Sequence, residues 1–383
     1  MCLSDPSPFP FLSLPIELQE RILSLLPVSD LLPLLSVSHS IRSLIQSPTF
    51  PSPPPDLFFL LFSSIDPPFP KLLSYHPASH RWVSLPISSH SPLYHSRPYA
   101  TSSSLAITLS SPAGPDYEDE DVPPEASLAA MRMFSSLPHQ EIPPMIPLGY
   151  CFVYAVIPDG DVSLSGPSDH FRILGHSYFN HGIFSQVYDS RLGRWSLTGK
   201  IPCQTALCTN TALVNRSLYV SDFMPHQCQL LKFDLTSYTW EIILPMPEMI
   251  LSASIFSHDQ NVYLVAGFED EPGRIITAIR VLILDWGENH ESREWKETSI
   301  LSGTEEAFVG FTNGACWLYG FETVARNGLV CLHSPYTSRV LLFDVRDRSW
   351  VLLPRSSLEP EYTMWYGHAT EMGQEVLRPV GAG

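Results

Sequence analysis

The chain has 383 residues, 16% charged and 44% hydrophobic, with 37 prolines and a formal charge of −17 from 22 basic and 39 acidic side chains. So much proline disfavours a mainly helical protein and favours short strands between loops, while the negative field would repel a phosphate backbone, since no basic stripe exceeds pairs such as Arg346 and Arg348. No stretch reaches the ~18 uninterrupted apolar residues needed to cross a bilayer, so neither nucleic acid nor membrane is an expected partner.

Met1-Cys2-Leu3-Ser4-Asp5-Pro6 lacks the basic n-region of a signal peptide. Residues 11–50 then carry nineteen Leu, Ile, Val or Phe, more than one amphipathic stripe requires. Leu14-Pro15 opens a first helix, with Pro15 suited to a first turn where its missing N–H has no partner. Glu17 sits in that turn, four residues ahead of Arg21. Leu18, Ile22, Leu25 and Leu26 share a face, and Pro27 stops the helix. Ser29 or Asp30 can cap a second helix, with Pro33 placed near its start. Ile41, Leu44 and Ile45 mark a third, closed by Pro48. Three helices in about 40 residues cannot bury this much apolar surface alone. They form either a cap on the domain C-terminal to them or a partner site.

The run Ser13-Leu14-Pro15-Ile16-Glu17-Leu18, Ile22-Leu23, then Leu26-Pro27-Val28-Ser29-Asp30-Leu31-Leu32 resembles an F-box. Further on, Ser38 stands where that family often has Cys, and Ile41 where it usually has Trp. The resemblance implies an all-α F-box over residues 11–50 that binds a Skp-type adaptor and, through it, a cullin and a RING protein. It assigns adaptor contact or support to Leu14, Pro15, Leu18, Ile22, Leu23, Leu26, Leu31 and Leu34.

From Asp56 onward, short apolar runs alternate with Pro, Gly and Ser breaks, the pattern of an all-β chain. Five segments repeat a strand, a polar turn and a Trp: His76 with Trp82, Asp189 with Trp195, Asp234 with Trp240, Asp285 with Trp295, and Asp344 with Trp350. In four of them the Trp follows six residues later, and in the Asp285 copy Gly287–Glu291 stretches the turn. The Asp can accept from turn amides, and the Trp returns on the next strand to pack flat between neighbouring sheets. Leu85-Pro86, Ile201-Pro202, Leu244-Pro245 and Leu353-Pro354 end the outer strands. Trp spacings of 113, 45, 55 and 55 sit near a ~50-residue period, with one marker lost between residues 95 and 160.

This pattern resembles the divergent kelch repeat of plant F-box/kelch-repeat proteins, with Ser221-Asp222, Ala266-Gly267 and Tyr319-Gly320 at the family's Gly-Gly positions. It implies a kelch-like β-propeller over residues 56–383, of six or seven blades. Strands around Met364–His368 would close it against Leu57–Phe62, leaving no bare sheet edge. Residues 112–147, proline-rich and carrying the acidic run Asp116–Asp121, read as a disordered insertion.

Chemistry is hard to find. The closest metal candidate, His226 and Cys228 with Cys203 and Cys208, has no zinc-site spacing, and His176, Asn180 and His181 read as a polar loop. Seven cysteines without C-x-x-C are reduced thiols of the cytosol or nucleus. No phosphate loop or nucleophile elbow occurs. The expectation is a non-catalytic, cofactor-free and metal-free substrate-recognition subunit of an SCF-type ubiquitin ligase, holding an unknown protein target. Phe223, Phe268, Phe321 and Trp365 are its candidate target-face aromatics. The alternatives are a kelch-fold metal enzyme with a helical cap, or a scaffold that binds the adaptor without promoting degradation.

Overall fold

The computed structural model describes residues 11–26, 28–47, 49–51, 56–63, 72–76, 81–84, 97–102, 105–110, 127–132, 140–146, 151–158, 170–179, 182–203, 207–222, 228–269, 276–287, 293–312, 321–326, 328–333, 339–354 and 365–372. Three short helices come first: α1 (Ile16–Leu23), α2 (Val28–Leu34) and α3 (His39–Ile45), preceded by a 3-10 turn at Phe11–Ser13. Pro15 is the N-cap of α1, as its fixed φ favours. Ser38 caps α3 by accepting from Ile41 N at 3.1 Å. Leu23, Leu31, Leu44, Ile45 and Phe50 are buried.

Two helix boundaries differ from expectation. α1 stops at Leu23 rather than running to Pro27, because Ser24 Oγ donates back to Arg21 O at 3.0 Å. The next amides also close three-residue turns, Leu25 N on Ile22 O and Leu26 N on Leu23 O. α2 begins at Val28, so Ser29 and Asp30 lie in its first turn instead of capping it. Pro33 therefore falls near its end, and the helix finishes one residue later.

The rest of the described chain is six four-stranded antiparallel sheets. The first holds β1 (Asp56–Ser63), β2 (Leu72–His76) and β3 (Arg81–Ser84). The second is β4 (Arg97–Ser102), β5 (Leu105–Ser110), β6 (Ser127–Arg132) and β7 (Gln140–Ile142). The third is β8 (Cys151–Pro158), β9 (Phe171–Phe179), β10 (Gly182–Asp189) and β11 (Arg194–Lys200). The fourth is β12 (Leu207–Val214), β13 (Ser217–Asp222), β14 (Gln229–Asp234) and β15 (Thr239–Pro245). The fifth is β16 (Ile250–His258), β17 (Asn261–Glu269), β18 (Ile276–Asp285) and β19 (Glu294–Ser302), followed by α4 (Glu306–Thr312). The sixth is β20 (Glu322–Arg326), β21 (Leu329–His333), β22 (Val340–Asp344) and β23 (Ser349–Leu352).

The last strand, β24 (Trp365–Met372), pairs with β1 over its whole length, from Asp56 opposite Met372 to Ser63 opposite Trp365. A late strand thus completes the first sheet and covers its edge, as expected. β24, β4, β8, β12, β16 and β20 each neighbour the next, and β20 returns to β24. The arrangement is propeller-like. Buried clusters fill the spaces between successive sheets, for example Ile157, Leu174 and Val187 against Leu218, Val220 and Phe233. Strands buried on both faces explain why β13 carries no exposed residue.

The 112–147 insertion is narrower than composition suggested, since β6 and β7 come from within it; the acidic run itself lies outside the described residues. The second sheet is also the one without a marker Trp, and in the first sheet His76 stands at the Asp position. Pairing shifts one of the glycine equivalences. Ser221 faces Leu230 and Val265 faces Val281, each four residues before the turn Asp. Ser221-Asp222 therefore corresponds to Val265-Ala266, one residue before Ala266-Gly267. Gly267 is needed for another reason: a Cβ there would come within 2.6 Å of Ile276 Cδ1.

Candidate protein-binding site and the elements that hold it

The N-terminal helices leave large aliphatic side chains in solvent, Leu18 and Ile22 among them four residues apart on one side of α1. Ile16 is 58% exposed, Leu18 45%, Ile22 44%, Leu25 75% and Val37 63%. These are large aliphatic side chains on a unit of about 40 residues, and their concentration marks a surface made to be covered. Of the residues expected to serve an adaptor, Pro15, Leu18 and Ile22 are exposed, and Leu14, Leu26 and Leu34 are half-buried. Leu23 and Leu31 are interior, so they support the helices and do not face outward. Sequence reasoning left Ile16, Leu25 and Val37 out of its set. Ile16 opens α1 on the side away from Leu18 and Ile22, and Val37 stands in the turn after α2, so neither falls in the helical stripe.

Polar contacts hold the entry to α1 and tie the helical segments together. Arg42 Nε donates to Leu35 O at 2.7 Å, Gln19 Nε2 to Leu14 O at 2.7 Å, and Thr49 Oγ1 to Glu20 Oε1 at 3.3 Å. An interface built on them is pre-ordered, which lowers the entropic cost of association.

In the four Asp copies of the repeat, backbone amides of the turn hold the carboxylate. Asp189 Oδ1 accepts from the amides of Arg191 at 2.8 Å and Leu192 at 3.3 Å. Asp234 Oδ1 accepts from Thr236 and Ser237, both at 2.8 Å. Asp344 Oδ1 takes Arg346 N at 2.8 Å, and Asp285 Oδ1 takes Gly287 N at 3.0 Å. The amides of Ser237 and Thr236 hold the Asp234 carboxyl below its usual range, and Lys296 does the same for Asp285 with help from the Gly287 amide.

Each Trp lies opposite the residue that precedes the Asp or its equivalent. Where that residue is aromatic, the rings meet at a tilt, from 38° for Phe343 and Trp350 to 62° for Tyr75 and Trp82. Three of these cross-strand pairs are tilted and Tyr75–Trp82 is edge-on. The indole N–H then reaches back to the preceding sheet. Trp82 Nε1 donates to Pro354 O at 2.8 Å, Trp195 to Pro143 O at 2.7 Å, Trp240 to Ser185 Oγ at 2.8 Å, and Trp350 to Ser299 Oγ at 3.0 Å.

Trp295 is the exception: among the described residues its buried Nε1 finds no hydrogen-bond partner. The residue four after the previous Trp, which is Pro354 or Ser299 in other copies, is here Leu244. Arg293, brought in by the stretched turn, makes the link instead, reaching Glu241 Oε1 at 2.9 Å and lying over the Trp286 ring at 5.3 Å. Trp350→Phe should therefore cost about 1–2 kcal/mol more than Trp295→Phe, since only the former breaks a made hydrogen bond. Urea unfolding of the two variants checks this, and equal losses would contradict it.

The expected target-face aromatics fare differently. Phe268 and Phe321 are buried, not displayed. β17 continues past Gly267, placing Phe268 in the core under the Arg280 guanidinium at 4.6 Å. Phe321 packs edge-on to Phe311, its backbone held by Ser252 Oγ on both sides. Phe223 lies outside the described residues, and Trp365 is described only as the first residue of β24. The segment Ala315–Gly320 also lies outside them.

His176 is a second correction. It sits in β9 and not in a loop, fully enclosed, and burial lowers its pKa to about 4. Among the described residues no three His, Cys, Asp or Glu side chains converge as a metal site, and Cys203 and Cys228 are free thiols.

Linkage gives His176 a measurable consequence. Its folded pKa is depressed, so the unfolded chain binds the proton first as pH falls. Its contribution is intact above about 6.5, erodes below that, and is gone by about 4, amounting to about 3 kcal/mol in full. The Asp234 and Asp285 turns weaken only at still lower pH, as their carboxylates protonate. His176→Val places at this site the residue found at the equivalent position 265. Its urea midpoint should fall much less between pH 7 and pH 4.5 than that of the native chain. Equal falls would refute the assignment.

Comparison with known proteins adds a family match at one end of the chain. A model of the F-box domain matches residues 11–52. No curated protein matches the chain. Among solved structures, a chain in the crystal structure of a nidogen/laminin complex is 9% identical with a TM-score of 0.45, covering 82% of this chain and 98% of that one. Among the described residues, no helix is long and apolar enough to cross a membrane.

Proposed function

We propose that this protein is the substrate-recognition subunit of an SCF-type ubiquitin ligase. F-box domains bind Skp-type adaptors, and the observation that carries the reading is the set of exposed aliphatic side chains on the segment that matches that domain. Ile16, Pro15, Leu18, Ile22, Leu25 and Val37 would bury against adaptor helices, while Leu23 and Leu31 hold the helices in shape. The cullin and RING protein follow through the adaptor.

The β region is the target receptor in this reading. Its six sheets are the blades of a kelch-type propeller, closed by β24 on β1, in a member of the plant F-box/kelch-repeat group. Supporting that reading are the Asp–Trp repeat in four sheets, the His76–Trp82 copy in a fifth, and the ring of neighbouring first strands. A rigid ring suits the task, because a target must be held in fixed geometry relative to the ligase's transfer site. The protein works in the cytoplasm or nucleus and carries out no chemistry of its own. The reading is tested by whether a Skp-type adaptor co-purifies with the chain through residues 11–52.

A further inference from the structure

Between the outer strands of the fifth and sixth sheets runs a groove of about 720 Å³. Ile300 of β19 forms one wall with Leu301 buried behind it, Trp350 and Leu352 of β23 form the other, and Ala307 of α4 closes one end. The groove is built rather than incidental. Phe308, Phe311 and Thr312 bury the inner face of α4, and Gly310 lies so close to Leu352 that a side chain there would collide with it. Ser302 N donates to Glu305 Oε1 at 2.8 Å, fixing the entry to the helix. The Trp350 N–H is already engaged by Ser299, so the ring offers the groove an apolar surface. Ile300, at 44% exposed, is the wall residue left most open.

The two ends of the groove differ in charge. Glu305 and Glu306 stand at the α4 end, and Arg348 stands in the turn that leads into β23. Among the described residues neither Glu306 nor Arg348 forms an ion pair. α4 packs on Leu352 at the far end of β23 from Arg348, and the four steps from Arg348 to Leu352 span about 13 Å at ~3.3 Å per residue. A trough of that length, lined by Ile300, Trp350 and Leu352 together with polar side chains and charged oppositely toward its two ends, suits an extended chain better than a compact ligand. Its volume is within the roughly 300–1,000 Å³ range of ligand-binding clefts.

We infer that this groove binds an extended peptide segment of a protein partner, with apolar residues between a basic residue seated at Glu305 and Glu306 and a carboxylate seated at Arg348. The inference stands on the groove alone and is independent of adaptor binding, so it is tested on the purified full chain. The probes are fluorescein-labelled peptides Lys-x-x-x-Asp, with x drawn from Leu, Ile, Val and Phe, and the charge-reversed Asp-x-x-x-Lys set. Fluorescence anisotropy should show the best of the first set binding at least tenfold more tightly than its reversed counterpart. The double variant Glu306→Lys with Arg348→Glu should invert that order, and unchanged tryptophan fluorescence would show that its fold is kept. Equal binding of the two sets, no saturable binding, or an order indifferent to the charge swap would overturn the inference. A concentration-dependent dimer that the swap abolishes would assign the groove to a second copy of the chain and overturn it equally.

Discussion

Replacing Leu18 and Ile22 with aspartate should reduce binding of a Skp-type adaptor at least a hundredfold while leaving the chain folded. Both side chains sit on α1 and are nearly half exposed, so in the free protein the change exchanges one solvated group for another. Surface substitutions of that kind usually move stability by no more than about 0.5 kcal/mol. At a desolvated interface the same carboxylates would be buried without partners, a penalty of several kcal/mol. Leu23→Asp is the informative contrast. That residue is enclosed by the helices, so its substitution should unfold the N-terminal unit itself, visible as lost helical circular dichroism. If Leu18→Asp with Ile22→Asp bound the adaptor as the native chain does, the exposed face would not be the docking surface.

The second large effect belongs to the sheets. Phe343→Ala should cost about 3–5 kcal/mol, the usual range for a buried aromatic truncated to Ala. Phe343 is enclosed on β22, meets Trp350 with ring centroids 4.4 Å apart, and belongs to the cluster that joins the fifth and sixth sheets beneath α4. Its loss removes the partner that orients the Trp350 link to Ser299, so the damage should reach the junction and not one sheet alone. Urea unfolding followed by tryptophan fluorescence reads it directly. A loss below about 1 kcal/mol would mean that the cross-strand aromatic pair does not hold the junction.

What sequence could show depended on how local the cause was. The Asp and Trp of each repeat act over six residues, through an Asx turn and one cross-strand contact, so their spacing predicted their geometry. The pairing of the last strand with β1 was also legible, because an uncovered edge is costly wherever it falls. Properties set by distant packing were not. Phe268 looked like a loop residue after Gly267, but Ile276 fills the space a side chain at position 267 would need, and the strand runs on. His176 sat among polar neighbours in sequence and is enclosed by other strands in space. Ser127–Arg132 reads as part of a proline-rich insertion because its pairing with β5 crosses the acidic run. The ends of α1 and α2 turned on a back-bonding serine and on where the second helix starts, details too fine for periodicity.

The most direct measurement is co-purification of a recombinant Skp-type adaptor with the full chain and with one lacking residues 1–50. A stable one-to-one complex with the full chain, absent for the truncated one although its sheets melt as before, is the predicted result. A folded full chain that binds no adaptor, or an adaptor retained after truncation, would contradict the assignment of the N-terminal helices as the docking site.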